Sequence, residues 1–534
     1  MARWQDVNGI YQIYPRSFKD SNGDGVGDLV GITQQLEYIK GGPNSLGIDA
    51  VWISPFYRSP MADFGYDVSD YYSVDPQFGD LEDFKLFVTE AHNREIKVMI
   101  DFVPNHTSSE HPWFVAAKSS KSNPKRNWYI WRDPKADGSP PNNWLSVFGG
   151  SAWEFDEASG QYYLHSFLAK QPDLNWENPE VREVMAEVLD FWLALGVDGI
   201  RADAVRWIAK DPEFRDNPLN PHYIKGIDPY HIQTQRYSRY GVNLPAYLRV
   251  MTDVVEKYPN RIILFEDYID TDIDASKQYA EFYSVNPKVA APFNFEGINT
   301  PYEAEAFRTH INWFQKFAGS DLRPFYCFGN HDTPRLVSRV GVRQARLLGL
   351  MQLTLPGIPV VYYGEEIGMR DVGMDKKDVH DPFEKQVPAR GLGRDPERTP
   401  MQWRKGAGAG FTKNKPWLPI AIDARKVNVE AELADPHSFL AMYRTLLELR
   451  RSSAIRLGKY VEWSGACETV FGFSRKSEFD TLLILLNMSD EPADCQDDVD
   501  GEILYSTHDM KEVMVGQNII LAPHQGVVIR RHRG

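Results

Sequence analysis

Eight short apolar runs recur along roughly the first 360 residues, separated by amphipathic stretches. They are GIYQIY (9–14), AVWISP (50–55), VMIDFV (98–103), GIRAD (199–203), IILFED (262–267), APFNF (291–295), FYCFG (325–329) and PVVYYG (359–364). The intervening segments, such as VREVMAEVLDFWLALG, repeat apolar residues every three or four positions, the period of an amphipathic helix. Strands that alternate with helices return in parallel, and eight of them suggest a closed α/β structure, the (β/α)8 TIM barrel. The rival is an open doubly wound sheet, but no Gly-rich dinucleotide fingerprint follows the first strand.

Two spacings interrupt the rhythm. About 95 residues separate the third run from the fourth, and the polar, aromatic and Pro-rich stretch 105–172 fits a small inserted domain after strand 3. A charged insertion near 370–400 follows the eighth run and contains RGLGRDPERTPMQW. Beyond residue 455 the pattern changes to short strands with turns (ETVFGFSR, TLLILLNMS, GEILYS, NIILAP, GVVIRR), which reads as a C-terminal all-β sandwich. The expected organisation is barrel 1–104, inserted domain 105–172, barrel 173–454 and sandwich 455–534.

With 534 residues the chain can bury a large core, and its net charge of -15 argues against nucleic acid or an anionic membrane as partner. The 14 Trp and 26 Tyr are compatible with carbohydrate, although composition alone does not select it. The N-terminus MARWQDVNGIYQIYP lacks the basic and apolar regions of a signal peptide. The longest apolar run, LLGLMQLTLPGIPVVYY, is broken by Gln352, Pro356 and Pro359 and reads as helix, turn and strand. Cys327, Cys467 and Cys495 lie far apart, an odd and sparse set that suggests free thiols in a reducing cytoplasm. Oligomeric state is left open.

The stretch DSNGDGVGDL (20–29) places Asp20, Asn22, Asp24 and Asp28 where a calcium loop carries oxygen donors, with Val26 at a position that donates a backbone carbonyl. Gly31 stands where an EF-hand needs its bidentate Glu, so the loop is not an EF-hand. The spacing favours a bound cation over a plain Asx/Gly turn. No His/Cys cluster suggests zinc.

In a barrel the active site gathers at the C-terminal ends of the strands. Those ends carry Asp101, Asn105 and His106 after the third run, Arg201 and Asp203 on the fourth, and Glu266 and Asp267 on the fifth. His331 and Asp332 follow the seventh, and Glu365 and Glu366 the eighth. A single Asp at a strand end is usually a cap or a turn. Carboxylates converging from several strand ends repel one another and shift pKa values, which a fold does not need and a reaction site does.

DFVPNH, GIRADAV, the Glu of ILFED and FGNHD together resemble the four ordered signature segments of the α-amylase superfamily of glycoside hydrolases. QPDLNW (171–176), MADFGYDVSDY (61–71) and RTPMQW (398–403) are similar to segments of its oligo-1,6-glucosidase branch. The resemblance covers essentially the whole chain. It implies a retaining, exo-acting α-glucosidase in which Asp203 is the nucleophile, Glu266 the acid/base and Asp332 the transition-state stabiliser. Arg201 would keep Asp203 ionised, with Asp101 orienting Arg201. His106 and His331 would donate to the sugar, and Tyr66 would stack beneath it. Asp63 and Arg398 would clasp the 4-hydroxyl of the non-reducing glucose, a role that Arg394 could share. The resemblance also implies one structural calcium or magnesium ion held by Asp20, Asn22, Asp24, Asp28 and the Val26 carbonyl.

Two positions depart from the branch pattern. Ala204 follows the nucleophile where relatives carry Val or Thr, which leaves the linkage open and widens the acceptor side. Asp267 either faces the pocket and raises the charge beside Glu266, or points into the helix layer as a cap. A dedicated glucosyltransferase or a sucrose- or disaccharide-isomerising enzyme is the alternative activity. A trehalose-phosphate hydrolase would need basic residues that the insertions do not show as a cluster. Non-catalytic transporter-subunit relatives lose the carboxylates that are present here.

Overall fold

The computed structural model describes residues 3–226, 228–269, 275–319, 322–465, 467–495, 501–508 and 519–531. Eight parallel strands close into a barrel in the order β1-β8-β7-β6-β5-β4-β3-β2. They are β1 (Ile10–Ile13), β2 (Ala50–Ile53), β3 (Lys97–Phe102), β4 (Gly199–Ala202), β5 (Ile262–Phe265), β6 (Ala290–Asn294), β7 (Phe325–Cys327) and β8 (Ile358–Tyr362). All eight apolar runs thus supply a barrel strand, and the open-sheet rival falls.

Strand periodicity sorts the side chains into two layers. Ile10, Ala50, Trp52, Met99, Leu264, Phe293, Cys327 and Val360 share one buried cluster inside the barrel. Their neighbours Tyr11, Val51, Ile53, Ile263 and Phe265 join the larger cluster between strands and helices. The helix Pro179–Ala194 shows why the outer layer forms. Asn178 caps its N-terminus on the Glu180 N–H, Pro179 fits the first turn, and Val181, Met185, Val188, Leu189, Trp192 and Leu193 make one buried stripe. That stripe returns the chain to β4.

Between β3 and β4 lies a three-stranded sheet of Trp131–Arg132, Gln161–Leu164 and Trp153–Asp156. After the barrel, Lys459–Glu462, Val470–Lys476, Thr481–Asn487, Gly526–Arg531 and Gly501–Ser506 form a five-stranded sheet in that order, with a separate pair, Ala493–Asp494 and Ile520–Leu521. Among the described residues no helix is long and apolar enough to cross a membrane. The three cysteines are unpaired.

Candidate active site

A cavity of about 460 Å³ opens at the C-terminal ends of the strands. Asp63, Tyr66, His106, Asp203, Glu266 and Asp332 line it, together with Ala204 and Arg394. Its floor is set by barrel register. Asp101 on β3 sits beside Arg201 on β4, and Ala202 on β4 beside Phe265 on β5. Asp203 and Glu266 therefore leave adjacent strands at the same height.

Arg201 joins them. Its guanidinium is fully buried and reaches Asp203 Oδ1 from Nη1 at 2.6 Å and Glu266 Oε1 from Nη2 at 2.7 Å, while Nη1 also meets Asp101 Oδ1. Trp52 Nε1 donates to the other Asp101 oxygen at 2.9 Å, so Asp101 sits behind Arg201 and faces no open space. Glu266 Oε2 accepts from the Ala204 N–H at 2.8 Å. Ala204 itself adopts a left-handed φ of 49°, which turns the chain sharply after Asp203.

Electrostatics separate the carboxyls. Burial pushes Asp203 well above the usual carboxylate range; Arg201 pulls it down, and Glu266, Asp101 and Asp332 push it up again. Arg201 faces three carboxyls, Asp101, Asp203 and Glu266, and so only partly offsets the burial of Asp203. Burial also raises Asp332, but His331 and the guanidiniums of Arg394 and Arg398 more than offset it and hold that carboxylate well below its usual range. Burial lowers His106 to about 4 and drives His331 further down, so both rings are neutral at pH 7.

The closed end differs from expectation in one contact. Asp63 Oδ1 pairs with Arg394 Nη2 at 2.7 Å. Arg394 also reaches Asp332 at 3.1 Å and the buried Asp381 at 2.8 Å. Arg398 lies one layer deeper, donating to the His331 carbonyl at 2.7 Å and to Asp332 at 2.8 Å. The guanidinium on Asp63 is therefore Arg394, because the turn of 3-10 helix at Pro396–Arg398 carries Arg398 behind the cavity wall. Tyr66 lies parallel to the His331 ring at 4°, and its hydroxyl meets His331 Nε2 at 2.6 Å. Gln12 Nε2 donates to His331 Nδ1 at 2.8 Å, so both nitrogens of that ring are engaged inside the protein.

Three further outcomes were not evident from sequence. Gln171, in QPDLNW, donates to Asp63 Oδ2 and lies 3.1 Å from His106 Nε2. Its segment was recognised, but not its side chain as the tie between Asp63 and His106. Glu365 and Glu366 do not converge with the strand-end carboxylates. Glu366 accepts from Tyr11 at 2.7 Å and Tyr38 at 2.8 Å, and Glu365 from Tyr443 at 3.0 Å, all behind the barrel wall. Asp267 turns away from the cavity and pairs with Arg206 at 3.0 Å, with Tyr240 and Gln278 on its oxygens. Beyond the carboxyls the cavity wall carries the aromatic Phe148, Phe167, Trp207, Tyr268 and Phe383 together with the polar Arg206, Asp228 and His231.

In the opening loop most of the oxygens face their own backbone, and Asp20 also accepts from the Thr412 hydroxyl. Asp20 accepts from the Gly25 N–H at 3.0 Å, Asp24 from Val26 at 2.8 Å, and Asn22 from Asp24 at 2.8 Å. Asp28 caps the helix Leu29–Gln34 through the Gly31 N–H at 2.6 Å and takes the Ser21 N–H at 2.9 Å. Among the described residues no three His, Cys, Asp or Glu side chains converge as a metal site. The donor chemistry suits a hard cation, and each of these carboxylates keeps lone pairs beyond the one that accepts its backbone N–H.

The family described as "Alpha amylase, catalytic domain" matches residues 12–458. A probable alpha-glucosidase of Rhizobium meliloti is 41% identical over 501 residues, covering 91% of this chain and 89% of that protein. An oligo-1,6-glucosidase of Parageobacillus thermoglucosidasius is 37% identical, with 99% of both chains covered. Among solved structures, the alpha-glucosyl transfer enzyme XgtA is similar at a TM-score of 0.90 and 38% identity over 100% of both chains. The trehalulose synthase MutB of Pseudomonas mesoacidophila is similar at 0.87 and 34%, covering 99% of both.

Proposed function

Since the chain belongs to the α-amylase catalytic-domain family, we propose that it is a retaining α-glucosidase that releases or transfers glucose from the non-reducing end of short α-glucosides. The observation that carries this reading is the pair Asp203 and Glu266 held on two nitrogens of one guanidinium at the cavity floor. Retention needs two carboxyls about 5 Å apart, one ionised and one protonated.

Asp203 is the nucleophile. Its carboxylate bonds to the anomeric carbon as the glycosidic C–O bond breaks, and the proton of Glu266 passes to the departing oxygen. The positive charge growing at the anomeric carbon beside Asp203 favours its ionised form in the transition state. Glu266 then takes a proton from water or a sugar hydroxyl as that oxygen displaces Asp203. The second inversion restores the α configuration. Asp332, kept ionised by two arginines, stabilises the cationic sugar ring. His106 and Tyr66 contact that ring, while Arg201, His331 and Arg398 fix the carboxyls and Tyr66 from behind. Asp63 and Arg394 close the far end of the cavity, which suits one terminal glucose and so exo action. Glucosyl transfer is favoured by the small Ala204 in the wall beside Glu266, which leaves room for a sugar acceptor.

A calcium or magnesium ion at the 20–28 loop remains part of the proposal only as a structural element, and no chemical step depends on it. We place the protein in the cytoplasm on its three unpaired cysteines, two of them buried.

Time-resolved proton NMR on maltose, isomaltose and sucrose tests the reading. Early α-glucose from the cleaved unit supports retention, and new glycosidic linkages mark transfer. Early β-glucose from that unit overturns the mechanism.

A further inference from the structure

We propose that Asp267 and Arg206 are positioning residues whose ion pair clips together the segments that follow Asp203 and Glu266, and so holds Glu266 where it can protonate the leaving oxygen. The inference rests on the reading of Glu266 as acid/base.

The two segments diverge immediately after the barrel. β4 ends in the left-handed turn at Ala204 and a 3-10 turn, Val205–Trp207. β5 runs on through Glu266, whose N–H donates to the Ala202 carbonyl at 2.9 Å. Beyond that bond no strand pairing holds them. Glu266 is steadied by Arg201 and by the Ala204 N–H, which both belong to the β4 side. Its working position therefore depends on how the β5 segment is fixed against the β4 segment.

Arg206 and Asp267 make that link. Arg206 Nη2 lies 3.0 Å from Asp267 Oδ1 and also donates to the Tyr268 carbonyl. Asp267 alternates with Glu266 along the chain, so one carboxyl faces the cavity while the next faces backwards. Its oxygens accept from Tyr240 and Gln278, and Gln278 reaches the Tyr268 carbonyl at 2.8 Å. The Tyr240 N–H closes the loop on the Arg206 carbonyl at 2.9 Å. Arg206 is 4% exposed and Asp267 3%. A buried ion pair adds little net stability over apolar packing, so a geometric role is the better account of this one.

The test separates acid catalysis from folding by leaving group. The ratio kcat/KM reports events up to formation of the glucosyl-enzyme. From maltose or isomaltose, whichever is cleaved, the departing oxygen needs the Glu266 proton. From α-D-glucopyranosyl fluoride, Asp203 bonds to the anomeric carbon and fluoride leaves with the bonding pair, without that proton. For Asp267→Asn, whose side chain lies outside the cavity lining, kcat/KM on the disaccharide should fall at least about tenfold more than on the fluoride, a part of the roughly 10²–10⁴-fold ascribed to general acid catalysis. Equal losses on both substrates, or no loss on either, overturn the proposal. If Asp267→Asn does not fold, Tyr240→Phe takes its place with the same criterion. Glu266→Gln run in parallel should show the largest split. If it shows none, the acid/base assignment itself is wrong.

Discussion

In the loop 20–28 the carboxylates of Asp20, Asp24 and Asp28 are turned onto backbone N–H groups of the same loop, whereas at the barrel mouth Asp203, Glu266 and Asp332 are held by guanidiniums and still border a cavity. Glu266 takes Arg201 from the neighbouring strand and Asp332 takes Arg394 and Arg398 from an insertion, while Asp203 shares the same Arg201 from two residues away. Both regions are acidic and rich in turns. They differ in the source of their partners. A carboxylate satisfied by amides a few residues away fixes a local turn. One that shares its cation with other carboxylates carries unresolved repulsion, which a reaction can use.

The comparison breaks first at Asp203. Asp203→Asn should lower kcat on disaccharides by on the order of 10⁴-fold or more, because no other carboxyl reaches the anomeric carbon from that side. The fold should survive, since Asn keeps the volume and Arg201 retains Asp101 and Glu266. Steady-state kinetics with a melting curve on the same sample checks both halves. A residual rate within about 100-fold of the parent would remove Asp203 from the nucleophile's role.

Arg394 sharpens the same contrast at the closed end. Arg394→Ala strips the pairing of Asp63 and of the buried Asp381, and should cost stability on the order of 3–5 kcal/mol. Trimming should also raise KM for short glucosides far more than Arg398→Lys does, since Arg394 alone of the two lines the cavity. Equal KM effects from the two variants would restore Arg398 to the clasp.

How much of this was legible follows from the same distinction. The barrel was visible because each strand is a local apolar run and each helix a local stripe, so periodicity within a dozen residues declares it. Asp203, Glu266 and Asp332 were visible because they sit at the ends of those runs within recognisable segments. The choice between Arg394 and Arg398 was not, because both lie in one insertion and only a 3-10 turn decides which faces the cavity. Glu365 and Glu366 misled for a related reason. A strand end marks the mouth of the barrel, but a turn after β8 can carry its side chains behind the wall, where Tyr11, Tyr38 and Tyr443 take them. The orientation of Asp267 depended on Tyr240 and Gln278, partners that no local pattern announces.

His106 offers a milder test through pH. Burial lowers its pKa to about 4, against an unfolded value near 6.5. Between those values the unfolded chain binds a proton that the folded one refuses, so the stability contributed by neutral His106 is present above pH 6.5 and is lost as pH falls towards 4. His106→Asn removes that linkage. The slope of unfolding free energy against pH in this window should flatten by up to about 1.4 kcal/mol per pH unit relative to the parent. Urea melts at pH 7, 6 and 5 measure it. An unchanged slope would mean that His106 charges freely in the folded protein.

The smallest effects belong to the loop, and they decide whether its carboxylates are as self-contained as they lie. Asp28→Ala removes the cap on Leu29–Gln34 and should lower stability by about 1 kcal/mol, with kcat within about twofold of the parent. Chelation should do less. A cation at this site would share Asp20, Asp24 and Asp28 with the N–H groups of Gly25, Val26 and Gly31, which weakens its hold. EDTA should leave the initial rate unchanged, since no chemical step depends on the ion, and millimolar calcium or magnesium should raise the melting temperature by no more than about 1 °C, on the order of 1 kcal/mol or less. A rise of about 5 °C or more with either ion would show that the loop reopens to bind it. The two acidic regions would then differ in what they bind, one a cation and the other a sugar.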